Sequence, residues 1–242
     1  MSYFTAFPKT SYEVDGEVIF ATDLTAYAEV LDSVRLSSSF YQDYFIQHAE
    51  RPDHVAFKFY SDPQLHWVMY LMNPKLREQG WPMDSAELMT KVKRDHPDTT
   101  LIIRDVSITT ELSVGQVIKG NTSEAVGTIV HKNVDLGQVT VKTTGTFVVG
   151  ELLRDVASGD TYQGWSEIDE VVPEYLAAHE YRVNGEHVDI NPYETIPTTP
   201  VHTKVTIQEL YFENNDKLKQ IRIVKPSAIN QVVSAFRQAI QS

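Results

Sequence analysis

At 242 residues, with 42% hydrophobic and 22% charged side chains, the chain has enough apolar material for one elaborated domain or two small ones. It has no cysteine, which removes disulfides, thiolate metal sites and cysteine nucleophiles, and no apolar run approaches the ~20 residues that cross a bilayer, so no membrane association is expected. A formal charge of −12 with scattered Lys and Arg argues against a phosphate-binding surface; no nucleic-acid partner is expected, and the charge serves protein partners with basic patches or simply solubility.

The first nine residues lack the charged start and long apolar stretch of a signal peptide, so synthesis and retention in a cytoplasm is the expectation. Tyr12-Glu13-Val14-Asp15-Gly16-Glu17-Val18-Ile19-Phe20 predicts a β-hairpin, because Asp-Gly supplies the positive φ angles of a tight type I′ turn. Leu24, Tyr27, Leu31 and Val34 recur at three and four residues and predict an amphipathic helix over 23–36. A strand is expected near Tyr44-Phe45-Ile46-Gln47.

Residues 50–60 predict a short helix with Pro52 in its first turn. Ser61-Asp62-Pro63 breaks it, and Asp62 is placed to cap a second helix in which Pro63 occupies the first position. That second helix, through Met72, is apolar nearly all round and must be buried, with Leu65, Val68, Met69 and Met72 expected on one face and Trp67 and Leu71 on another. Asn73-Pro74 is expected to stop it. Further helical spacing at residues 84–92 is followed by a break at Asp95-His96-Pro97-Asp98 and a strand containing Leu101-Ile102-Ile103.

Residues 107–168 change texture, being rich in Val, Thr and Gly with short alternations. They predict a small all-β, barrel-like module in which Val114-Gly115-Gln116-Val117 and Val149-Gly150-Glu151-Leu152 are comparable units and the glycines allow bends. Residues 180–188 predict a second hairpin around Asn184-Gly185, and the proline-rich 191–200 an extended connector. Residues 204–213 fit either a strand or a helix. Alternation at Gln220-Ile221-Arg222-Ile223 predicts a half-exposed strand, and Pro226-Ser227 opens a helix whose Ile229, Val232, Val233, Phe236 and Ile240 form one apolar stripe.

Signals for chemistry are sparse. No two of the eight histidines have the His-x-x-x-His spacing of a helical zinc site, and the glycine-rich phosphate loops and nucleophile elbow are missing from the sequence. No catalytic, cofactor or metal residues are assigned, and the expectation is that the chain is not an enzyme.

The string Tyr60-Ser61-Asp62-Pro63-Gln64-Leu65-His66-Trp67-Val68, followed by Asn73, resembles the core of a LysM module of the kind found in contractile-tail phages. Together with the run from Asn215 to Lys225, it resembles the baseplate wedge subunit of T-even-type phages, known there as gene product fifty-three; residues 107–168 are extra to that pattern. The resemblance implies an α+β fold in which a LysM-like β-α-α-β unit is split by a long insertion and followed by the amphipathic C-terminal helix. The expected organisation is 1–106 (hairpin, helix and first part of the core), 107–168 (inserted β module) and 169–242 (hairpin, connector, closing strand and helix).

By the same resemblance Tyr60, Asp62, Pro63, Trp67 and Asn73 hold the unit together with Ile221 and Ile223 of the closing strand. Tyr3, Phe4, Phe7, Ile229, Val233 and Phe236 are the candidate subunit contacts, as apolar anchors near the chain ends. The implied role is a structural subunit of the baseplate wedge, joining wedge proteins (the counterparts of gene products six, seven and twenty-five) and adjacent wedges into a sixfold inner ring. Its expected location is the virion tail baseplate, reached from the host cytoplasm during assembly. The alternative is a LysM-type module that binds peptidoglycan or another N-acetylglucosamine polymer.

Overall fold

A computed structural model describes residues 7–23, 39–156, 166–194, 196 and 198–241. In chain order the strands are β1 (Lys9–Val14), β2 (Glu17–Thr22), β3 (Tyr41–Phe45), β4 (Thr99–Ile102), β5 (Val117–Gly120), β6 (Val126–Asn133), β7 (Gln138–Thr143), β8 (Leu153–Asp155), β9 (Glu170–Pro173), β10 (Ala178–Val183), β11 (Glu186–Val188), β12 (Thr203–Thr206) and β13 (Gln220–Val224). The α-helices are α1 (Pro52–Tyr60), α2 (Trp67–Met72), α3 (Pro74–Gln79), α4 (Ser85–Asp95), α5 (Ile207–Lys219) and α6 (Ile229–Gln241). The chain divides into two compact units, Met1–Asp84 with Asn214–Ser242, and Ser85–Glu213. The mixture of helix and sheet is the α+β class. The helix expected over 23–36 lies outside the described residues.

In the first unit, Asp15 (φ 53°) and Gly16 (φ 81°) turn β1 into β2, the two positive angles of the expected type I′ turn. β3 pairs antiparallel with β13 in the register Tyr41↔Val224 to Phe45↔Gln220, so strands far apart in sequence make one ribbon. Between them α1 ends at Ser61, whose left-handed backbone (φ 55°) lets its N–H close on Phe57 O at 2.9 Å. Asp62 then accepts from Gln64 N–H at 2.9 Å and Pro63 opens a 3-10 turn, Pro63–His66, that leads into α2.

α2 lies between two cores, which is why it is apolar nearly all round. Trp67, Val68 and Met72 pack with Val224 and with Ala228, Ile229, Val232, Val233, Phe236 and Ile240 at the start and along the stripe of α6. Met69 faces the other way, into Ile46, Val55, Ala56, Leu76, Ile221 and Ile223. The faces therefore divide differently from the expected Leu65-Val68-Met69-Met72 grouping. The 3-10 turn has a period near three residues, so the α-helical count begins only at Trp67. Pro74 also does more than end α2, since it sits at the first position of α3.

In the second unit a six-stranded sheet has the order β8-β5-β6-β7-β4-β9, all neighbours antiparallel. Residues 166–173 connect its two edges. Leu153 N–H donates to Ser166 O and Ile168 N–H to Glu151 O, both at 3.0 Å beside β8, whereas β9 pairs with β4 at the opposite edge. The sheet thereby curls over a core that includes Leu101, Ile118, Ile129, Val139, Val141, Leu153 and Ile168, a barrel-like closure that leaves little open edge. Gly115 (φ 88°) and Gly150 (φ 83°) both turn the chain just before the strands β5 and β8.

The sheet recruits β4 and β9 from outside 107–168, so the compact unit is wider than the expected module and its limits do not fall at 106 and 168. The second hairpin, β10–β11, turns at Asn184 (φ 53°) and Gly185 (φ 86°) as expected, and β12 completes a three-stranded sheet with it. Of the two readings left open for 204–213, both apply in succession. β12 ends at Thr206, which then caps α5: Thr206 Oγ1 accepts from Glu209 N–H at 3.1 Å and Glu209 Oε2 accepts from Thr206 N–H at 2.7 Å.

Candidate interaction surfaces

The motif residues converge on the closing strand. Ile46 N–H donates to Lys219 O and Lys225 N–H to Phe40 O, which sets the alternation: odd-numbered residues of β13 bond β3, and Arg222 and Val224 present their backbone groups to the other side. Asn73 meets the first of these. Its Nδ2 donates to Arg222 O at 2.7 Å and to Met69 O at 2.8 Å, and its Oδ1 accepts from Arg222 N–H at 2.9 Å. Tyr60 meets the second, its hydroxyl donating to Val224 O at 2.9 Å.

Two side chains from the helical segment thus satisfy backbone groups that an edge strand would otherwise leave open. Burial pushes the Tyr60 hydroxyl well above the usual phenol range, against the smaller opposing effect of its bond to Val224, so it stays a donor. Asp62 and Pro63 set the junction, Trp67 packs on Phe236 at a centroid distance of 4.7 Å, and Ile221 and Ile223 fill the core under Met69. Arg222 lays its guanidinium over the Tyr41 ring at 4.6 Å.

A second polar cluster fixes the turn between β3 and α1. Glu50 accepts from the Tyr44 hydroxyl at 2.5 Å, from Gln47 N–H at 2.8 Å and from Lys58 Nζ at 3.2 Å, and its carbonyl accepts from Trp81 Nε1 at 2.7 Å. Burial alone would raise the Glu50 pKa; the bonds from Tyr44, Gln47 and Lys58 outweigh it and hold the carboxyl below its ordinary value.

The candidate subunit contacts fare differently. Tyr3 and Phe4 lie outside the described residues. Phe7 is half-buried against the core of α2 and α6. Ile229, Val233 and Phe236 correct the expectation: the apolar stripe of α6 packs on Trp67, Val68 and Met72 of its own unit, so these side chains are not available to a neighbour. An amphipathic period reports that a stripe is covered without saying by what.

Sequence reasoning read the first hairpin correctly but missed what its side chains do. Every residue of β1 and β2 except Thr10 and Ala21 is exposed, and Val14, Val18, Ile19 and Phe20 stand in solvent. The alternation that would mark one covered face is missing from the exposure along both strands, and strict counting of that alternation is the signal that could have found it. A second surface feature is an open cleft of about 480 Å³ lined by residues that include Asp43, Asn73, Lys75, Lys217, Gln220 and Arg222. No group of three or more His, Asp or Glu side chains among the described residues is arranged to hold a metal ion. Among the described residues no helix is long and apolar enough to cross a membrane.

A family model described as base plate wedge protein 53 matches residues 3–88, the segment that carries the exposed hairpin, β3, the capped helix junction and Asn73. No curated protein matches the chain. β13 and α6, which complete the same compact unit, lie beyond the matched segment. Over residues 3–88, about a third of the chain, the protein is thus similar to the base plate wedge protein 53 family, a likeness that supports a structural role in a phage tail baseplate.

Proposed function

We propose that the chain joins wedge proteins to one another, and adjacent wedges into the sixfold inner ring of a contractile-tail baseplate, after folding in the host cytoplasm. One observation carries this reading: the family segment is locked by Asn73 and Tyr60 onto β13 and by Trp67 onto α6, while its hairpin is left in solvent. A block of fixed shape with an unburied apolar projection suits a joining element. On this reading the split unit is LysM-like in design, with Tyr60, Asp62, Pro63, Trp67, Asn73, Ile221 and Ile223 as structural residues, and the β-rich unit adds a further contact surface.

The partners are the counterparts of the wedge proteins called gene products six, seven and twenty-five in the T-even system. Co-expression with those counterparts followed by affinity purification tests the proposal: a stoichiometric complex surviving size exclusion supports it, and recovery of the chain alone from each pairing refutes it.

The cleft beside Asn73 favours one second reading, glycan binding. Its volume falls in the range of ligand sites and its polar lining could bind sugar hydroxyls. Against it, the Asn73 amide is already committed to Arg222 and Met69. Titration with chitin oligomers decides between them, since saturable binding would establish the second reading and a flat response at millimolar oligomer would remove it.

A further inference from the structure

The β1–β2 ribbon has apolar side chains on both faces. The pairing Tyr12↔Ile19 and Val14↔Glu17 puts Tyr12, Val14 and Ile19 on one side, and Ser11↔Phe20 with Glu13↔Val18 puts Phe20 and Val18 on the other. Phe20 is 74% and Val18 62% exposed, so among the described residues neither face is covered. Among the described residues both outer edges of this two-stranded sheet are unpaired by any third strand. A lone two-stranded ribbon is marginal in water, and apolar residues on both of its faces have no role in a free monomer.

Charge identifies the occupant. Glu13, Asp15 and Glu17 crowd the tip, and the basic residue of the ribbon, Lys9, stands at its base. A second copy would bring two acidic tips together on molecules of formal charge −12, which is unfavourable. We propose that the ribbon is inserted tip first into an apolar slot whose inner end carries Lys or Arg, on a different baseplate protein. Val18 and Phe20 press one wall, Tyr12, Val14 and Ile19 the other, and the basic inner end meets the carboxylates at the tip. Open edges allow the partner to add backbone hydrogen bonds, as in strand addition. This deepens the joining role proposed above and rests on it.

The test uses the full chain expressed with the other structural genes of the tail, followed by isolation of baseplates and measurement of how much of the chain they contain. Val18→Ser with Phe20→Ser alters only exposed side chains, so its circular dichroism and thermal transition should match wild type, while its occupancy in baseplates falls by on the order of tenfold or more. Glu13→Lys with Glu17→Lys should lower occupancy several-fold without touching the apolar contacts.

A photo-crosslinking amino acid at position 20 of the otherwise unaltered chain should capture an apolar peptide flanked by Lys or Arg from another protein. Wild-type occupancy for both double variants, or a crosslink to a second copy of this chain or to an acidic segment, overturns the slot while leaving the joining role intact. Exclusion of the wild-type chain from baseplates overturns both.

Discussion

Asn73 makes a sharp test of how the split core is held. Replacing it by Ala removes three hydrogen bonds and leaves the N–H and C=O of Arg222 to whatever water can reach them. At about 0.5 to 1.5 kcal/mol net for each bond, with partial recovery by water at this half-exposed position, the loss should be about 2 kcal/mol. With a urea dependence near 2 kcal/mol per molar, the unfolding midpoint of the first unit should drop by about 1 M. Fluorescence in a Trp165→Phe background reports that unit alone, through Trp67 and Trp81.

Asn73→Asp distinguishes the specific mechanism from simple loss of packing. One carboxylate oxygen can keep the Arg222 N–H, but the other then faces the carbonyls of Met69 and Arg222, so the ionised form is disfavoured in the folded state. The introduced carboxyl thus has a raised folded pKa, and its stability deficit appears as pH rises through the ordinary carboxylate range and shrinks below it. Asp should be at least as damaging as Ala at pH 7 and recover relative to Ala near pH 4. A midpoint shift under about 0.2 M for Ala, or wild-type stability for Asp at pH 7, would refute the clamp.

The remaining predictions concern packing and the β-rich unit. Phe236→Ala should cost roughly 3 to 5 kcal/mol, read by thermal unfolding with a red shift of Trp67 emission, because the ring is buried against Trp67. Glu151 is buried, and its carboxylate accepts from the N–H groups of Thr122, Ser123 and Val148 and from the Ser123 hydroxyl; burial by itself would raise its pKa, and these bonds more than reverse that. Its contribution to stability is therefore complete above the ordinary value of 4.5 and is lost as pH falls from there through the depressed folded pKa; Glu151→Gln should lower stability at pH 7 by about 1 to 3 kcal/mol and flatten the acid limb of the stability profile. Gly120→Ala would put a Cβ 2.4 Å from that carboxylate and should destabilise the unit by about 1 to 3 kcal/mol in a calorimetric scan, since four hydrogen bonds keep the carboxylate from moving aside.

What the sequence revealed was local chemistry. Asp15-Gly16 and Asn184-Gly185 dictate their turns, Asp62-Pro63 dictates a helix start, and an all-apolar segment such as 67–72 has to be enclosed. What it concealed depended on distant partners. Nothing near Asn73 states that its amide serves Arg222, and the stripe on α6 reads the same whether it meets a neighbour or Trp67. α3 was hidden because Pro74 serves as a stop for one helix and a start for the next. The Thr206–Glu209 capping box was legible and marks the start of α5, but the alternating residues before it masked the change of period. β4 and β9 join the curled sheet through pairings that neither strand advertises.

The ribbon formed by β3 and β13 has a temporal meaning as well. A ribosome adding roughly 5 to 20 residues per second takes on the order of ten seconds or more to travel from one of these strands to the other. Throughout that interval Trp67, Val68 and Met72 await both the strand and the helix that enclose them, and the nascent protein is prone to chaperone capture or clumping. Only translation that proceeds past α6 yields a finished core, so prematurely terminated copies keep Trp67, Val68 and Met72 uncovered.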